Sequence, residues 1–279
     1  MPADIIDQVG HWTELKLAIL HEYSDAYTKI MKNQRYIKEY VYIDGFAGAG
    51  EHVSRETGDR IAGSPAIALG LPHKFSRYHF IDLDGKRVSY LNALKGDRHD
   101  VHVWEGDCND ILLNKIFPQF TYETYRRALC LLDPYNLNPS WDVVKKAGEL
   151  GTIEIFLNFM IMDANLNVLF NDPTRADDAQ KNRFSVFWGD TSWETIAYQE
   201  EPPDLFGNKR LNKVTTDNIM KAYRDRLRTV AGFKYVPAPL PMKNTRGVPI
   251  YYLFFASQKE AGNRIASDIF KKYRGSGTA

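Results

Sequence analysis

The residues best suited to chemistry stand in segment 44–50, which reads Asp-Gly-Phe-Ala-Gly-Ala-Gly and follows the apolar run 41–43. Consecutive apolar residues predict a buried strand, and open α/β sheets bind their ligands beyond the carboxyl ends of the strands. The glycines let the backbone come close to a bound molecule. Asp44 adds a negative charge that would repel phosphate and favours a ligand with an amine or a positive charge.

Three more acids follow apolar runs and should reach the same edge of the sheet. They are Asp82 after 78–81, Asp107 after 101–104, and Asp133 after 128–132. An acid at the end of the second strand can accept hydrogen bonds from both hydroxyls of a ribose, so Asp82 predicts a nucleoside-containing cofactor. A nicotinamide cofactor is disfavoured, because Val53 replaces the third glycine of its fingerprint and Asp82 lies too far along the chain.

The order of these blocks resembles a known family. Segment 44–50 is similar to the first motif of the class I S-adenosylmethionine-dependent methyltransferases, and the wider pattern, from about Leu15 to Lys271, resembles the three-Cys-motif partner proteins. The further blocks are a Leu- and Lys-rich N-terminal helix, Gly-Ser-Pro at 63–65, Phe-Ile-Asp-x-Asp at 80–84, Gly-Asp at 106–107, Leu-Asp-Pro-Tyr at 132–135 and Tyr-x-Leu-x-Phe-Ala-Ser at 251–257. The resemblance implies S-adenosylmethionine as the cofactor. It also implies a partner, a radical-type protein with a three-cysteine motif.

The resemblance implies roles for individual residues. The cofactor contacts would be Asp44, Gly45, Phe46, Ala47, Gly48, Gly50, Asp82, Leu83, Asp107, Cys108 and Asp133. Asp107 would accept a hydrogen bond from the adenine amine. Asp133 and Tyr135 match the acceptor motif of the amino-methyltransferases and would be catalytic. There the acid holds the target amine and accepts its proton, while the aromatic ring stacks on a base.

The chain departs from that acceptor motif. Its second proline is absent and Tyr135 comes one place early. An alternative with no chemistry stays open, in which Asp133-Pro134 only ends a strand and residues 138–139 start the next helix. Gly106-Asp107 likewise has an alternative as a simple turn.

These residues need an α/β frame to bring them together. Strand patterns at 41–43, 78–81, 101–104, 128–132 and 153–159 alternate with helical ones, which predicts a Rossmann-like sheet. The resemblance adds the class I methyltransferase form, a mostly parallel seven-stranded sheet with an antiparallel last strand. An amphipathic helix is predicted over 12–33, with Lys16 off its apolar stripe and with packing on the sheet favoured over a lid.

The remaining segments complete the frame. The sixth and seventh strands are predicted at 233–236 and 250–257, and the proline-rich segment 237–241 is predicted to connect them. Residues 51–62 are predicted to form an exposed loop with His52 solvated.

The chain is predicted to divide at an insertion. Residues 1–160 would form the N-terminal helix and the first part of the Rossmann-like domain, 161–212 a mainly helical insertion, and 213–279 the completion of the domain. Trp188 and Trp193 in the insertion predict a small core of its own, with a surface that stacks on bases as the less favoured alternative.

Bulk composition predicts an ordinary cytoplasmic protein. The 279 residues are 44% hydrophobic and 25% charged, and a net charge of +1 gives no general attraction to nucleic acid or membrane. No run approaches the roughly 20 apolar residues of a membrane span, and the first six residues lack an export signal. Cys108 and Cys130 predict buried free thiols. His99 and His102 have no third ligand at metal spacing, so no metal is assigned.

Two functions stay open. The first is S-adenosylmethionine-dependent N-methylation of an amine, either a nucleic-acid base or a small-molecule amine. The second is a cofactor-binding partner protein of a three-cysteine radical-type enzyme, with little or no methyl transfer of its own. The acceptor cannot be predicted, because this fold varies the loops that select it.

Overall fold

A computed structural model describes residues 6–200, 202, 211–244 and 246–274 of the chain. The strands are β1 (Asp7–Val9), β2 (Glu39–Asp44), β3 (Glu51–Ser54), β4 (Arg60–Ala62), β5 (Arg77–Asp82), β6 (Val101–Glu105), β7 (Arg126–Leu132), β8 (Ile153–Phe159), β9 (Tyr198–Glu200), β10 (Leu211–Lys213), β11 (Leu240–Lys243) and β12 (Pro249–Ala256). The helices are α1 (His11–Lys32), α2 (Ser64–Gly70), α3 (Gly85–Lys95), α4 (Cys108–Ile111), α5 (Trp141–Leu150), α6 (Ile161–Asn167), α7 (Asp178–Trp188), α8 (Trp193–Ala197), α9 (Thr216–Thr229) and α10 (Glu260–Tyr273).

Seven strands form one sheet in the order β11-β12-β8-β7-β2-β5-β6. Strands β2, β5, β6, β7 and β8 are parallel, and β12 is antiparallel to both of its neighbours. The sheet confirms the predicted Rossmann-like fold class with its antiparallel last strand. The chain continues from β2 to β5 on one side and later returns to β7 on the other. Strand order therefore reverses at β2, the kind of position where such sheets bind ligands.

Both faces of the sheet are covered, which explains the unbroken apolar runs. In β7, Ala128, Cys130 and Leu132 join one core cluster with α5 and α9. Leu129 and Leu131 face the other way, into a cluster with α1 and α10. Alternate residues of a strand serve opposite faces, so a strand covered on both sides has no polar alternation.

Helix α1 packs on the sheet, as predicted. Its buried apolar residues are Leu15, Leu17, Ile19, Leu20, Tyr23 and Tyr27. Lys16 is also buried, with 8% of the residue exposed, although the pattern placed it off the apolar stripe. It stands four residues after Trp12 and three before Ile19, and residues at these spacings are neighbours on a helix surface.

The sixth strand of the sheet is β11, and the predicted strand at 233–236 is wrong. That segment makes one isolated bridge, between Tyr235 and Ser257, whereas β11 pairs with β12 although it contains Pro241. Because β11 lies at the edge of the sheet, its proline can turn the side without an N–H away from β12. The prediction of 237–241 as a pure connection is wrong for the same reason.

Residues 51–62 form a hairpin, so the predicted exposed loop is also wrong. Strands β3 and β4 pair antiparallel, and β1 adds to β3 in parallel to make a three-stranded sheet. Apart from Ser54, their residues are half-buried or exposed, which explains the shortage of apolar side chains. The partner strand β1 lies more than a helix away in sequence, where a local pattern cannot reveal it.

The predicted insertion is mainly helical where it is described. Helices α6, α7 and α8 precede the antiparallel pair β9 and β10, whereas residues 201 and 203–210 lie outside the described residues, as do 1–5 and 275–279 at the two ends. Trp188 and Trp193 are buried, but they share the main core with Phe159 and Tyr223. Their rings are therefore not available to stack on bases. The division of the chain at 161 and 212 stays a prediction.

Three further observations concern the described residues. Cys108 and Cys130 are buried and unpaired, as predicted. No helix in the described ranges is both long and apolar enough to span a bilayer. The same residues include no group of three or more His, Cys, Asp or Glu side chains placed to hold a metal ion.

Candidate functional site

The carboxyl ends of β2, β5 and β6 meet along one rim. The loop after β2 is bound to the end of β5, because Gly48 donates its N–H to Asp82 Oδ2 at 2.9 Å. The end of β6 joins them, because Gly106 donates its N–H to the carbonyl oxygen of Asp82 at 3.1 Å. Asp44, Asp82 and Asp107 therefore stand at or just beyond three neighbouring strand ends.

Asp44 is fully buried beside the glycine loop. Its Oδ1 accepts the N–H of Phe46 at 3.3 Å, and its Oδ2 accepts the hydroxyl of Tyr42 at 3.4 Å. Burial raises the pKa of Asp44 to about 7, a hydrogen bond from Ser64 opposes the rise, and the charge of Asp133 adds to it. Such a carboxyl ionises more readily when a cation binds near it, which suits the amine-bearing ligand expected at this loop.

The glycine loop has one packed side and one open side. A Cβ at Gly45 would lie 2.7 Å from the sulfur of Cys108, so this glycine is required by packing. Gly48 has a φ of +63°, and a Cβ built on it would meet nothing within 4 Å. Open space beside the backbone of Gly48 leaves room for a ligand to approach the loop closely.

The other loop residues contribute mainly backbone. Ala47 is buried on the α1 face of the sheet, and Phe46 packs against the opposite core cluster. Gly50 accepts the N–H of Gly63 at 2.8 Å, which ties the loop to the start of α2. Leu83 is the exception, because 74% of it is exposed at the rim.

Asp82 holds two loops together. Its Oδ2 accepts from Gly48, and its Oδ1 accepts the N–H of Asp84 at 2.9 Å. Each carboxylate oxygen has two lone pairs, so these bonds leave acceptor capacity for ribose hydroxyls. Asp84 itself caps α3 by accepting the N–H of Lys86 at 2.8 Å.

Asp107 and Cys108 begin α4. Asp107 is exposed, and its Oδ1 caps the helix by accepting the N–H of Asp110 at 3.0 Å. Cys108 is buried, and this burial raises the pKa of its thiol far above the usual range. Asp107 thus stands where a ligand can reach it and also has a structural task, whereas the thiol of Cys108 faces the core.

Asp133 lies between a lysine of α1 and an asparagine of β8. Lys16 Nζ donates to Asp133 Oδ2, and Asn158 Nδ2 donates to Asp133 Oδ1. Asn158 is 1% exposed, and its Oδ1 has no hydrogen-bond partner within the described chain. The Lys16 ammonium also lies 5.9 Å from the centroid of the Tyr251 ring. Asp133 therefore already binds an amine, and that amine belongs to the same chain.

Tyr135 is turned away from this cluster. Its hydroxyl donates to Asp7 Oδ2 on β1, and the guanidinium of Arg87 lies 5.4 Å from the centroid of its ring. Arg87 also pairs with Asp7 at 3.0 Å. These residues, the Asp7–Arg87–Tyr135 triad, connect β1, α3 and the segment after β7. Asp133 thus contacts Lys16 and Asn158, whereas Tyr135 contacts Asp7 on β1.

Sequence reasoning missed Lys16 and Asn158 as site residues. The pairing of Leu132 with Leu157 makes Asp133 and Asn158 neighbours at the ends of adjacent strands. An amide inside the otherwise apolar end of run 153–159 was the available signal. For Lys16 the signal was its position four residues after Trp12 and three before Ile19, which makes it a neighbour of the apolar stripe of α1.

The prediction of a solvated His52 in a loop is also wrong, because His52 lies half-buried on β3. Its Nδ1 is buried without a partner among the described residues. Burial lowers the pKa of His52, and the charge of Lys16 lowers it further, which favours the neutral ring. A neutral imidazole near the rim can accept or donate a hydrogen bond.

A cavity of about 360 Å³ lies at the amino ends of the strands, away from the rim, between α1, α10 and the starts of β7 and β8. Glu154 stands in its wall, where its carboxylate accepts the hydroxyls of Tyr23 at 2.5 Å and Ser257 at 2.8 Å. Because ligands of open α/β sheets bind at the carboxyl ends, this cavity is not the candidate site. Its polar groups join α1 to β8 and to the end of β12.

No family model and no curated protein matches the chain. A Listeria monocytogenes protein, provisionally assigned as an S-adenosylmethionine-dependent methyltransferase, is 14% identical over 88% of this chain and 100% of its own, with a TM-score of 0.42. A Legionella pneumophila protein is 10% identical over 93% and 92%, with a TM-score of 0.46. An S-adenosylmethionine-dependent methyltransferase from Mesorhizobium loti is 9% identical over 83% and 95%, with a TM-score of 0.36. Likeness at this level concerns at most the fold, so function has to be argued from the site.

Proposed function

We propose that the chain is an S-adenosylmethionine-dependent methyltransferase that acts on an amine. One observation carries the proposal. Asp44 and Asp82 flank a glycine loop with open space at Gly48, and Asp133 nearby binds an ammonium group. Acids around such a loop suit a cationic adenosyl cofactor better than a ligand that presents phosphate.

The rim of β2, β5 and β6 would hold the cofactor. Asp44 would supply the negative charge beneath the loop that favours an ammonium and a sulfonium, Asp82 would accept the ribose hydroxyls, and Leu83 with Asp107 would contact the adenine. The backbone of residues 45–50 would line the methionine part. When bound, the cofactor supplies a sulfonium methyl group: the acceptor nitrogen forms the new N–C bond while the C–S bond breaks and leaves its electron pair on sulfur.

Asp133 and Asn158 would orient the acceptor amine. Asn158 fixes the carboxylate of Asp133 by donating to its Oδ1, and the Asn158 Oδ1 remains as a second acceptor. An amine that donates to both oxygens is held in one orientation, which is the main requirement of an in-line transfer. Asp133 would also accept the proton that the nitrogen loses. Tyr135 would help to close the site through Asp7, without stacking on the acceptor.

Cofactor binding and methyl transfer are measured separately. In isothermal titration calorimetry we expect one S-adenosylmethionine site per chain, weakened at least about tenfold in Asp82→Ala, which loses a hydrogen-bonding carboxylate. The exposed Asp97→Ala variant is the matched control and should bind like the wild type. No binding to the wild-type chain would overturn the proposal.

For transfer, the chain is incubated with methyl-labelled cofactor and small amines, RNA or DNA. Label should pass to an amine-bearing acceptor, and Asp133→Ala should abolish the transfer while the affinity for the cofactor stays within about threefold of the wild type.

The alternative function is cofactor binding without methyl transfer, as the partner of a three-cysteine radical-type enzyme. One observation favours it, because Asp133 is paired with Lys16 and the chain itself fills the acceptor position. This function predicts intact cofactor binding with no label on any amine, RNA or DNA.

A further inference from the structure

Lys16 is a buried lysine on a helix that does not need it for packing. The apolar residues of α1 already anchor the helix to the sheet. An ammonium removed from water costs free energy that a partner must offset. Only 10% of the Lys16 side chain is exposed, and its ammonium reaches Asp133 at the end of β7. This costly arrangement stands at the position that the proposed function gives to a substrate.

The surroundings of Lys16 Nζ are those of an alkylammonium site. Asp133 supplies the opposite charge, and the nearby face of Tyr251 attracts cations. The Tyr251 ring is held in place because its hydroxyl donates to the carbonyl oxygen of Trp12 at 3.2 Å. A carboxylate and an aromatic face together select a compact positive charge on an apolar stem.

Lys16 does not use the whole site. An ammonium has three N–H donors, and the bond to Asp133 takes one of them. Asn158 Oδ1 is buried beside that carboxylate and has no partner in the described part of the chain. A buried acceptor without a partner costs free energy, so an amine that reached both Asp133 and Asn158 would satisfy the cluster better than Lys16 does.

We propose that Lys16 occupies the acceptor subsite as an internal stand-in, and that the acceptor is a primary alkylamine, not a planar base. The flexible four-carbon stem lets Lys16 rotate out while an entering amine takes its bond to Asp133 and adds one to Asn158. A base would need a flat slot with a stacking ring. Tyr135 is committed to Asp7 and Arg87, and the face of Tyr251 meets an ammonium on an aliphatic stem. The methylation of that amine rests on the proposed function, whereas the binding of the amine does not.

The probe for the subsite is n-butylamine, which has the length and charge of a lysine side chain. Lys16→Ala vacates the subsite, so it should bind n-butylamine saturably in calorimetry, at least about tenfold more tightly than the wild type does. The neutral isostere n-butanol should not bind in this way. Asp133→Asn in the Lys16→Ala background should abolish the binding.

The matched control is Lys29→Ala on the same helix. Lys29 is an exposed lysine paired with Asp25 at 2.6 Å, so its removal should leave n-butylamine binding as weak as in the wild type. Lys16→Met keeps the apolar stem and removes the charge, so it separates the effect of vacated space from the effect of the lost ammonium. It should fold like the wild type and bind n-butylamine no more tightly, because the stem still fills the subsite.

A Lys16→Ala chain with wild-type circular dichroism and wild-type cofactor affinity that still ignores n-butylamine would overturn the inference. Methylation of Lys16 itself, found by mass spectrometry after incubation with the cofactor, would support it. The two proposals fail separately. If Lys16→Ala binds n-butylamine but the wild-type chain transfers no methyl group to any acceptor, the methyltransferase proposal fails and the subsite proposal stands. If the wild-type chain methylates bases and its Lys16→Ala variant does not bind n-butylamine, the methyltransferase proposal stands and the alkylamine proposal fails.

Discussion

Asp44 couples the candidate site to pH. Burial raises its pKa from 3.8 to about 7, so the folded chain keeps a proton that the unfolded chain loses at lower pH. Between these values the folded state binds more protons. Below the pKa of Asp44 in the unfolded chain, its protonated carboxyl contributes fully to stability. This contribution, roughly 4 kcal/mol at most, is lost as pH rises through the pKa of Asp44 in the folded chain.

Asp44→Asn should remove this dependence. We expect the free energy of unfolding of the wild type to fall by up to about 3 kcal/mol between about pH 5 and about pH 8, and that of Asp44→Asn to stay flatter because the amide does not titrate. Urea unfolding followed by circular dichroism measures both slopes. Asp97→Asn, a change at an exposed acid, should keep the wild-type slope. Equal slopes for the wild type and Asp44→Asn would contradict the assignment.

Asn158 is the second residue whose role can be isolated. Asn158→Leu keeps the branched arrangement of the side-chain heavy atoms but removes the donor to Asp133 and the unpartnered acceptor. We expect a fall in kcat and a rise in KM for the amine, with kcat/KM lower by roughly 10- to 100-fold, because the carboxylate and the acceptor lose their common orientation. The Kd for the cofactor should not change.

The control for Asn158→Leu is Asn114→Ala, which removes an exposed amide that bonds Asp110. It should retain wild-type kinetics. A weaker cofactor affinity in Asn158→Leu would indicate general damage to the rim and would count against a specific role at the acceptor.

The acids of the site could be predicted from the sequence, but their partners could not. Asp44, Asp82 and Asp133 each follow an apolar run, and parallel strands bring such positions to one edge. Lys16 and Asn158 reach Asp133 from a helix and a strand that no local pattern connects to it. Contacts between distant segments depend on sheet order, which the sequence indicated only through the resemblance.

At the scale of elements, Arg226 connects α9 to the predicted insertion. Its guanidinium lies 4.9 Å from the ring centroid of Trp141 and 5.4 Å from that of Trp188. It also pairs with Asp190 at 2.9 Å and donates to the carbonyl oxygen of Trp188 at 3.2 Å. A planar cation between two indole rings, with its N–H groups bonded, is a contact that a lysine cannot replace.

Arg226→Ala should lower the free energy of unfolding by about 2 kcal/mol, and Arg226→Lys should recover less than half of the loss. Guanidinium unfolding measures both. Arg228→Ala, at an exposed arginine of the same helix, should change stability by less than about 0.5 kcal/mol. If Arg228→Ala were as damaging as Arg226→Ala, the loss of positive charge on α9 would explain the effect and the stacking would not.

The errors in predicting elements have a common physical cause. The pattern located β2, β5, β6, β7 and β8 because a strand buried on both faces is apolar throughout. It missed β11 and β1 because an edge strand and a small exposed sheet have no such requirement. Pro241 is tolerated only because β11 is an edge strand, and edge position is a property of the whole sheet.

At the scale of the whole molecule, the N-terminal segment 7–32 connects both ends of the sheet. At the carboxyl end, Asp7 bonds Tyr135 within the triad and Lys16 bonds Asp133. At the amino end, Tyr23 bonds the buried Glu154. One continuous segment thus contacts the candidate site and packs on the core. We therefore expect motion of β1 to change access to the rim while the buried part of α1 stays anchored.

Tyr135→Phe tests whether the Asp7–Arg87–Tyr135 triad holds β1 in place. The change removes only the hydroxyl that donates to Asp7, and a hydrogen bond to a charged group is worth roughly 1.5–3 kcal/mol. We therefore expect amide hydrogen exchange at 7–9 and 52–54, the paired parts of β1 and β3, to speed up at least about tenfold. Tyr36→Phe alters an exposed tyrosine and should leave this exchange unchanged. Because Arg87 of the triad lies close enough to Asp82 and Asp84 at the rim to feel their charges, we also expect the cofactor to associate and dissociate faster in Tyr135→Phe. Wild-type exchange in β1 of this variant would show that the hydroxyl of Tyr135 does not hold the segment and that its bond to Asp7 does not control access.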